Sequence, residues 1–314
     1  MPFTAKPKTF NASISVVEIG TGDKTLSIGG MNTLPLNFFD SPAKNAPAVG
    51  VEITDTGYEL TAFPVMAAYY EGANTAGERA KRAAEMPGAN FVCLRFEGAD
   101  PAGLNRSIED CVADAKDVIN AIDMPLVIAG SKNIEKDAEL FSALAEVCQG
   151  RNVLFLSARE ENYKGIGASC ALAYGHKVGA ESAVDINLAK QLNVLLTQLG
   201  VPAQNIVMNV GSAAAGYGYE YVSSTLDRVK SAALEQNDAM LQMPIMTPIS
   251  AETWSVKESI MAESDMPEWG SQEERAISME TVTASACLAS GSDAVILRHP
   301  TSVKTIAAMI AALQ

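Results

Sequence analysis

The sequence is poor in histidine, and its cysteines are scattered. Its 314 residues include two histidines and five cysteines, and no two cysteines form a C-x-x-C pair. An odd number of widely spaced cysteines is typical of buried reduced thiols rather than of a disulfide framework, an iron–sulfur site or a structural zinc site. A Ser-His-Asp triad or a histidine metal site would have to use His176 or His299.

Positive charge is also scarce. Lysine and arginine number 23 against 37 acidic residues, which gives a formal net charge of -14. Nucleic-acid binding needs a basic face, and an anionic membrane surface attracts basic segments. We therefore expect neither nucleic acid nor membrane as a partner.

Long hydrophobic runs are missing as well. The longest nearly apolar stretch, at 62–70, is too short to span a bilayer, and no apolar run follows the basic first residues as in a secretory signal. We therefore expect a cytoplasmic protein. Hydrophobic residues make up 48% of the chain and charged residues 19%, which predicts a large core rather than disorder.

Strand-like and helix-like segments alternate in eight units from residue 48 onward. The strand segments are short and nearly all apolar, as a buried parallel sheet requires. Strands are predicted at 49–54, 91–96, 125–130, 152–158, 177–182, 205–210, 243–249 and 293–298. Helices are predicted at 75–85, 101–122, 134–148, 184–199, 219–234, 273–290 and 303–313, with a weakly helical segment up to 174. This rhythm predicts an α/β fold, a (β/α)8 TIM barrel, over an open doubly wound sheet, which would be unusually wide.

A β-hairpin is predicted ahead of the barrel. Residues 12–30 alternate apolar and polar side chains around a Gly-Asp turn, and residues 31–47 are a connector rich in Pro and Asn. Such a hairpin most simply plugs the floor of the barrel. We therefore expect a hairpin and connector over 1–47 and the barrel over 48–314.

Function in a barrel lies at the carboxyl ends of the strands, where two loops stand out. Residues 210–221 carry three glycines before a helix, whose backbone N–H groups could face an anion or amide carbonyls, although these glycines could instead only shape a tight turn. Their spacing is not that of a dinucleotide-binding fingerprint. Residues 251–271 form a long connection with both tryptophans, which predicts a lid, a docking surface or a solvated acidic excursion.

Few residues suggest classical catalysis. The Arg298-His299 pair follows the last strand and could act as an acid–base or oxyanion group, or could be hydrogen-bonded structure. The adjacent acids Glu160 and Glu161 cannot face each other across a glycosidase site. No lysine is placed to project into the barrel for Schiff-base chemistry.

Six stretches of the sequence together resemble a known family. The sequence resembles the small (delta) subunit of the corrinoid iron–sulfur protein of the CO dehydrogenase/acetyl-CoA synthase system, and the resemblance covers residue 47 to the end. The matching stretches are VGVEITD (49–55), GANFVCLRFEGADP (88–101), GYGYEYVSSTLDRV (216–229), MPIMTPISAETWSVKES (243–259), MPEWG (266–270) and SDAVILRHP (292–300).

The resemblance implies a division of labour between two subunits. A larger subunit carries the [4Fe–4S] cluster and the corrinoid (cobalamin), and the barrel mouth of the small subunit covers the corrinoid. The resemblance also implies two further partners, a methyltetrahydrofolate methyltransferase and acetyl-CoA synthase. The small subunit would then be non-catalytic and hold neither a cluster nor a cobalt ligand, and the chemistry would belong to the cofactor.

A mouth that covers a corrin ring needs close backbone approach, amphipathic surfaces and a few fixed polar groups. The candidate corrinoid-binding residues are Asp55, Asn209, Gly211, Gly216, Tyr217, Gly218, Trp254, Arg298 and His299. The alternative is a self-sufficient pterin-dependent methyltransferase, with Asp55, Asn209 and Arg298-His299 as its polar centre.

Overall fold

The protein is a nearly closed barrel of eight parallel strands preceded by an antiparallel hairpin, here as a computed structural model that describes residues 8, 10–34 and 44–313. Much of the predicted connector, residues 35–43, lies outside the described residues. The hairpin strands are β1 (Val16–Ile19) and β2 (Leu26–Gly29). The barrel strands are β3 (Ala48–Thr54), β4 (Phe91–Arg95), β5 (Leu126–Ala129), β6 (Leu154–Ala158), β7 (Lys177–Glu181), β8 (Ile206–Asn209), β9 (Met246–Pro248) and β10 (Ala294–Leu297).

Neighbouring strands of the barrel pair with each other, but one of these contacts is much weaker than the rest. Strands β3 to β8 pair in sequence order, and β10 joins β3 to β9. The remaining seam, between β8 and β9, is a single parallel bridge from Met208 to Ile245, next to a hydrogen bond from Met208 N to Pro244 O. The predicted TIM-barrel fold is confirmed.

Helices surround the barrel and follow the predicted rhythm with a few differences. They are α1 (Pro64–Tyr69), α2 (Ala76–Ala84), α3 (Ile108–Ala121), α4 (Ile134–Val147), α5 (Tyr163–Ile166), α6 (Ile186–Leu199), α7 (Tyr219–Glu235), α8 (Ser250–Thr253), α9 (Lys257–Ile260), α10 (Gln272–Ser290) and α11 (Pro300–Ala312). A wide π-helical turn over Gly167–Ala173 continues α5. The short helix α1 was not predicted, and α8 and α9 lie within the long connection.

The predicted start, at residue 101, of the helix after the second barrel strand is wrong. Helix α3 begins at Ile108, and the Ser107 side chain accepts a hydrogen bond from Asp110 N as its N-cap. Asn105 has a φ of 46°, a left-handed conformation that an α-helix cannot contain. Residues 101–104 therefore form a turn.

The hairpin lies against the amino-terminal ends of the barrel strands. Ser15 N donates to Gln242 O and Gly20 N donates to Asn152 O, and both acceptors lie in the loops that lead into barrel strands. Three fully buried hairpin side chains join the apolar layer inside the barrel: Val17, Ile19 and Ile28. The hairpin therefore forms the floor, and the opposite end of the barrel is its mouth.

Two further observations bear on the expectations from composition. All five cysteines are buried and free, and burial raises the pKa of each thiol. Within the described part of the chain, no helix is long and apolar enough to cross a membrane.

Candidate functional site

The mouth of the barrel contains two adjoining cavities. The inner cavity, about 50 Å³, lies among the ends of β5 to β9. The outer cavity, about 220 Å³, lies toward Trp254 and Arg298. Residues that line both include Arg95, Gly130 and Lys132. The two cavities are therefore neighbouring compartments of one mouth.

A buried ion cluster forms the base of this mouth. The Glu52 carboxylate, on β3, accepts hydrogen bonds from two arginines. Arg95 Nε donates to Oε2 at 2.6 Å, and Arg298 Nη2 donates to Oε1 at 2.7 Å. Burial alone would raise the pKa of Glu52, but the two guanidinium groups lower it to about 2. Two positive charges thus share one negative charge.

Aromatic rings hold Arg298 in place. Its guanidinium carbon lies 5.0 Å from the ring centre of Tyr58 and 5.3 Å from that of Trp254. The indole Nε1 of Trp254 donates to the buried carboxylate of Glu280 at 3.0 Å, and Arg298 N donates to the same oxygen at 2.6 Å. Glu280 therefore ties the loop that carries Trp254 to the end of β10, and burial raises its pKa.

The wall of the inner cavity is polar. Asn209, at the end of β8, donates from Nδ2 to Ser157 Oγ at 3.3 Å, and its Oδ1 accepts from Gly211 N at 3.0 Å. Arg159 Nη2 bonds Glu181 Oε1 at 2.6 Å. Ser157 has a φ of 104° beside an irregularity in the β6–β7 register, a strained conformation of the kind that clusters at functional sites.

The rim carries an ion pair between Lys132, after β5, and Glu252, on α8. Lys132 Nζ lies 2.9 Å from Glu252 Oε1, and the two side chains are 53% and 37% exposed. Exposed pairs of this kind contribute about 0–1 kcal/mol, so the pair can open at little cost.

The structure brings four of the nine predicted residues to the cavities. Asn209 and Gly211 line the inner cavity, whereas Trp254 and Arg298 line the outer one. The Asp55 side chain lines neither cavity. It contacts the segment between β4 and α3, where it accepts hydrogen bonds from Gly98 N and Arg106 Nη1. Burial raises the pKa of Asp55 although both bonds oppose this.

His299 is fully buried behind the mouth. Its Nδ1 accepts from Thr301 N at 3.1 Å and caps helix α11, so its Nε2 carries the hydrogen and donates to Glu273 at 3.0 Å. The Trp254 ring stacks on the imidazole, with a centroid distance of 6.2 Å and an angle of 11°. The geometry is that of a hydrogen-bonded structural residue, the second of the two roles considered for it.

The last three predicted residues lie on the outer rim. Gly216 has a φ of 85°, and a Cβ there would meet no heavy atom within 4 Å. Tyr217 is 45% exposed and donates from its hydroxyl to Glu258 Oε2 at 2.8 Å. Gly218, with a φ of 92°, precedes α7. Because Glu258 belongs to α9, the two loops that the sequence singled out contact each other.

Beside this contact runs a groove of about 460 Å³. Ala215 from the strand-six loop, Trp269 from the long connection and Val282 from α10 line it, and the last two are exposed. The long connection is thus folded against the barrel and presents apolar side chains beside the mouth.

Residues 16–309 match the family described as CO dehydrogenase/acetyl-CoA synthase delta subunit. The chain belongs to this family.

Two relatives match the sequence of this chain over most of its length. It is 33% identical over 292 residues to acetyl-CoA decarbonylase/synthase complex subunit delta 2 of Methanosarcina acetivorans, covering 91% of this chain and 66% of that protein. It is 30% identical over 313 residues to the delta subunit of Methanothermobacter thermautotrophicus, covering 97% of this chain and 77% of that protein. The chain therefore spans just under two thirds of the Methanosarcina relative.

Solved structures resemble the delta-subunit chain in fold alone. Dihydropteroate synthase from Xanthomonas albilineans superposes with a TM-score of 0.57 at 12% identity, covering 96% of this chain and 99% of that one. The enzyme from Thermus thermophilus gives a TM-score of 0.56 at 12% identity, covering 95% of this chain and 100% of that one. Both are barrels of the TIM type.

The main residues that sequence reasoning missed in this chain are Glu52 and Arg95. Glu52 lies inside β3 and Arg95 is the last residue of β4, so a search that concentrated on the residues after each strand passed over them. The available signal was a charged side chain inside an otherwise apolar strand, which is costly unless it is paired.

Among the residues that the structure describes, no group of three or more His, Cys, Asp or Glu side chains is arranged to hold a metal ion. His176, at the floor end, contacts Ala145 O through Nε2 and accepts from Val153 N at Nδ1.

Proposed function

We propose that the chain is the small subunit of a corrinoid iron–sulfur methyl carrier. In this proposal its barrel mouth covers the corrinoid of a larger, cluster-bearing subunit while a methyl group passes from methyltetrahydrofolate, through a methyltransferase, to acetyl-CoA synthase in the cytoplasm. The match of residues 16–309 to the delta-subunit family is the observation that carries the proposal. Membership of that family supports the assignment of partners, and the mouth geometry supports the assignment of the surface.

The mouth fits a large flat cofactor lying over it rather than inside it. The cavities, about 50 and 220 Å³, are smaller than the roughly 300–1,000 Å³ pockets that bury drug-sized ligands. The rim offers open backbone at Gly216 and a half-exposed ring at Tyr217. A corrin ring presents apolar faces and an edge of amides, and these groups suit both features.

The residues of this chain would enclose and orient the corrinoid. Trp254 and Tyr217 would contact its apolar surface, whereas Asn209 and Arg298 lie below the rim and would hydrogen-bond amide side chains that project from the ring edge into the cavities. Both imidazoles are engaged with protein atoms, which supports a covering role without a cobalt ligand from this chain. When bound, the corrinoid supplies the cobalt that carries the methyl group.

Substitutions on the rim test the proposal. In the assembled complex, Gly216→Val should weaken corrinoid retention, because a side chain would occupy the open space that close approach needs. Tyr217→Ala should also weaken it, since a stacking surface is lost. One such contact contributes roughly 1–3 kcal/mol, about five- to 150-fold in affinity.

Matched controls separate a local effect from a folding defect. Gly150 has a φ of 81°, and a Cβ there would also meet nothing within 4 Å, but it lies at the floor end of the barrel. Gly150→Val should therefore retain the corrinoid, as should Tyr217→Phe, which keeps the ring. Corrinoid content and thermal melting of each purified complex are the measurements. Unchanged content in both rim variants with normal melting would move the site elsewhere.

The pterin-dependent methyltransferase stays the alternative prediction. Its test is methyl transfer from methyltetrahydrofolate to free cobalamin by the isolated chain. Turnover by the chain alone would favour the enzyme, and no turnover would favour the covering subunit.

A further inference from the structure

We propose that the barrel mouth binds the carboxylate of a small organic acid, with Arg95 as its anchor. The inner cavity would take the carboxylate and the outer cavity the body of the acid. This inference does not depend on the corrinoid, and its test uses the chain without corrinoid.

Arg95 has unused hydrogen-bonding capacity in a nearly buried position. The residue is 8% exposed, and its Nε is bonded to Glu52. Among the described residues, none accepts a hydrogen bond from its Nη1 or Nη2. These two atoms are not sealed from open space, and Arg95 lines both cavities. The outer edge of the guanidinium group is therefore free for a ligand.

The carboxylates around Arg95 leave its outer edge free. Glu52 is the single carboxylate that Arg95 and Arg298 share, so the cluster at the base carries one excess positive charge. The other acids of the inner cavity already have partners in the protein. Glu181 is paired with Arg159 and Glu252 with Lys132.

The third acid of the inner cavity, Asp137, is also satisfied. Its carboxylate accepts from Ser131 N at 2.7 Å, Ser131 Oγ at 2.8 Å and Lys132 N at 3.0 Å. Asp137 therefore does not compete for the free edge of Arg95, but its negative charge offsets the excess positive charge of the Glu52 cluster, so hydrogen bonds to that edge rather than net charge would hold a ligand.

Two more acids, Glu97 and Asp100, line only the outer cavity. Glu97 accepts from Thr56 Oγ1 at 2.7 Å, and Asp100 accepts from Ala102 N at 2.9 Å. Their negative charge disfavours an anion in the outer cavity. The anionic end of a ligand would therefore lie in the inner cavity, against the free edge of Arg95.

The size of the inner cavity selects the anion. A single water molecule needs about 10–15 Å³ measured in this way, so about 50 Å³ corresponds to roughly three to five such volumes. A carboxylate has three heavy atoms and fits within this space, whereas a phosphate group has five and would need all of it. The planar guanidinium edge also matches a carboxylate, because two parallel N–H groups can meet its two oxygens.

A ligand can reach this position past the rim. The Lys132–Glu252 pair stands where the two cavities adjoin, and exposed ion pairs open at little cost. Opening would join the cavities and admit an acid with a short apolar or polar body.

The test measures binding of simple acids to this chain alone. Acetate, butyrate and inorganic phosphate are each titrated in place of chloride, so that the ionic strength stays constant. Melting temperature and ligand-observed NMR are recorded. We expect saturable stabilisation by acetate, tighter binding of butyrate because its body fills the outer cavity, and no saturable effect of phosphate.

Three variants locate the effect. Arg95→Gln should weaken acetate binding at least tenfold. Arg95→Lys should weaken it at least threefold. The lysine variant keeps the charge beside Glu52 and therefore serves as the test if the glutamine variant does not fold. Arg228→Gln removes an exposed arginine from α7 and should change nothing. Equal stabilisation by acetate and phosphate, or affinity for acetate unaltered by either Arg95 substitution, would overturn the proposal. Neither result would bear on corrinoid retention by the complex.

Discussion

At the scale of single residues, Glu52 is the side chain on which the mouth depends most. Its carboxylate is fully buried and holds two arginines that would otherwise repel each other. Removing one member of a buried ion cluster leaves uncompensated charge in a poorly solvated place, which is far more costly than losing a surface pair.

Glu52→Gln should therefore lower the free energy of unfolding by about 3–5 kcal/mol at neutral pH. The pKa of Glu52 is lowered in the folded state from 4.5 to about 2. Its stabilising effect is thus complete above pH 4.5 and is lost as the pH falls toward 2. Urea denaturation between about pH 7 and pH 2.5 should show the gap between wild type and variant closing across that window. Glu139→Gln, at an exposed position on α4, is the control and should stay within about 0.5 kcal/mol at pH 7.

His299 should affect stability more than corrinoid retention. His299→Ala removes the cap of α11 and the bond to Glu273, so its melting temperature should fall, whereas His299→Asn keeps an N-cap acceptor and should recover part of the loss. Corrinoid content per folded complex should remain close to wild type in both. Complete loss of corrinoid from His299→Ala with normal melting would instead indicate axial ligation and contradict the covering role.

At the scale of elements, the hairpin contributes to the core as a barrel strand does. Ile19 is fully buried in the apolar layer of the barrel floor, whereas the neighbouring Glu18 side chain faces solvent. Ile19→Ala should cost about 2–5 kcal/mol through lost burial and the cavity left behind. Glu18→Ala should cost less than about 0.5 kcal/mol. Equal, small effects of both in chemical denaturation would mean that the hairpin does not seal the floor.

The elements show where sequence reasoning succeeds and where it stops. Strand β7, Lys177–Glu181, is weak by propensity and was placed by the eight-fold rhythm, and the structure confirms it. The start of α3 was wrong because a Pro after an Asp looks like a helix start, while the left-handed Asn105 that prevents one leaves no clear mark in the sequence. Periodicity thus predicts elements well and their ends less well.

At the scale of the whole molecule, the candidate site was only partly predictable. The rule that function lies at strand ends found Asn209, Gly211 and Arg298 on the cavities. The same rule selected Asp55, but which way a strand-end side chain turns depends on partners distant in sequence, such as Arg106. The division into 1–47 and 48–314 stays a prediction.

Assembly is the prediction that belongs to this scale. The chain should copurify from its native host with a larger subunit that carries cysteine motifs, and the complex should show corrinoid and iron–sulfur absorbance. The reason is that a covering subunit has no function without the cofactor-bearing chain. A stable monomer, or a homo-oligomer without either chromophore, would contradict the subunit assignment.

The floor has a consequence for the order of events during synthesis. The hairpin precedes every barrel strand in the sequence, yet Ser15, just before β1, donates to Gln242 O, and β3 cannot meet β10 until Leu297 has left the ribosome. Contacts between such distant parts of a chain form slowly. We therefore expect the apolar side chains of the hairpin to stay exposed while most of the polypeptide is made, which leaves the newly made chain prone to aggregation until its last strand is complete.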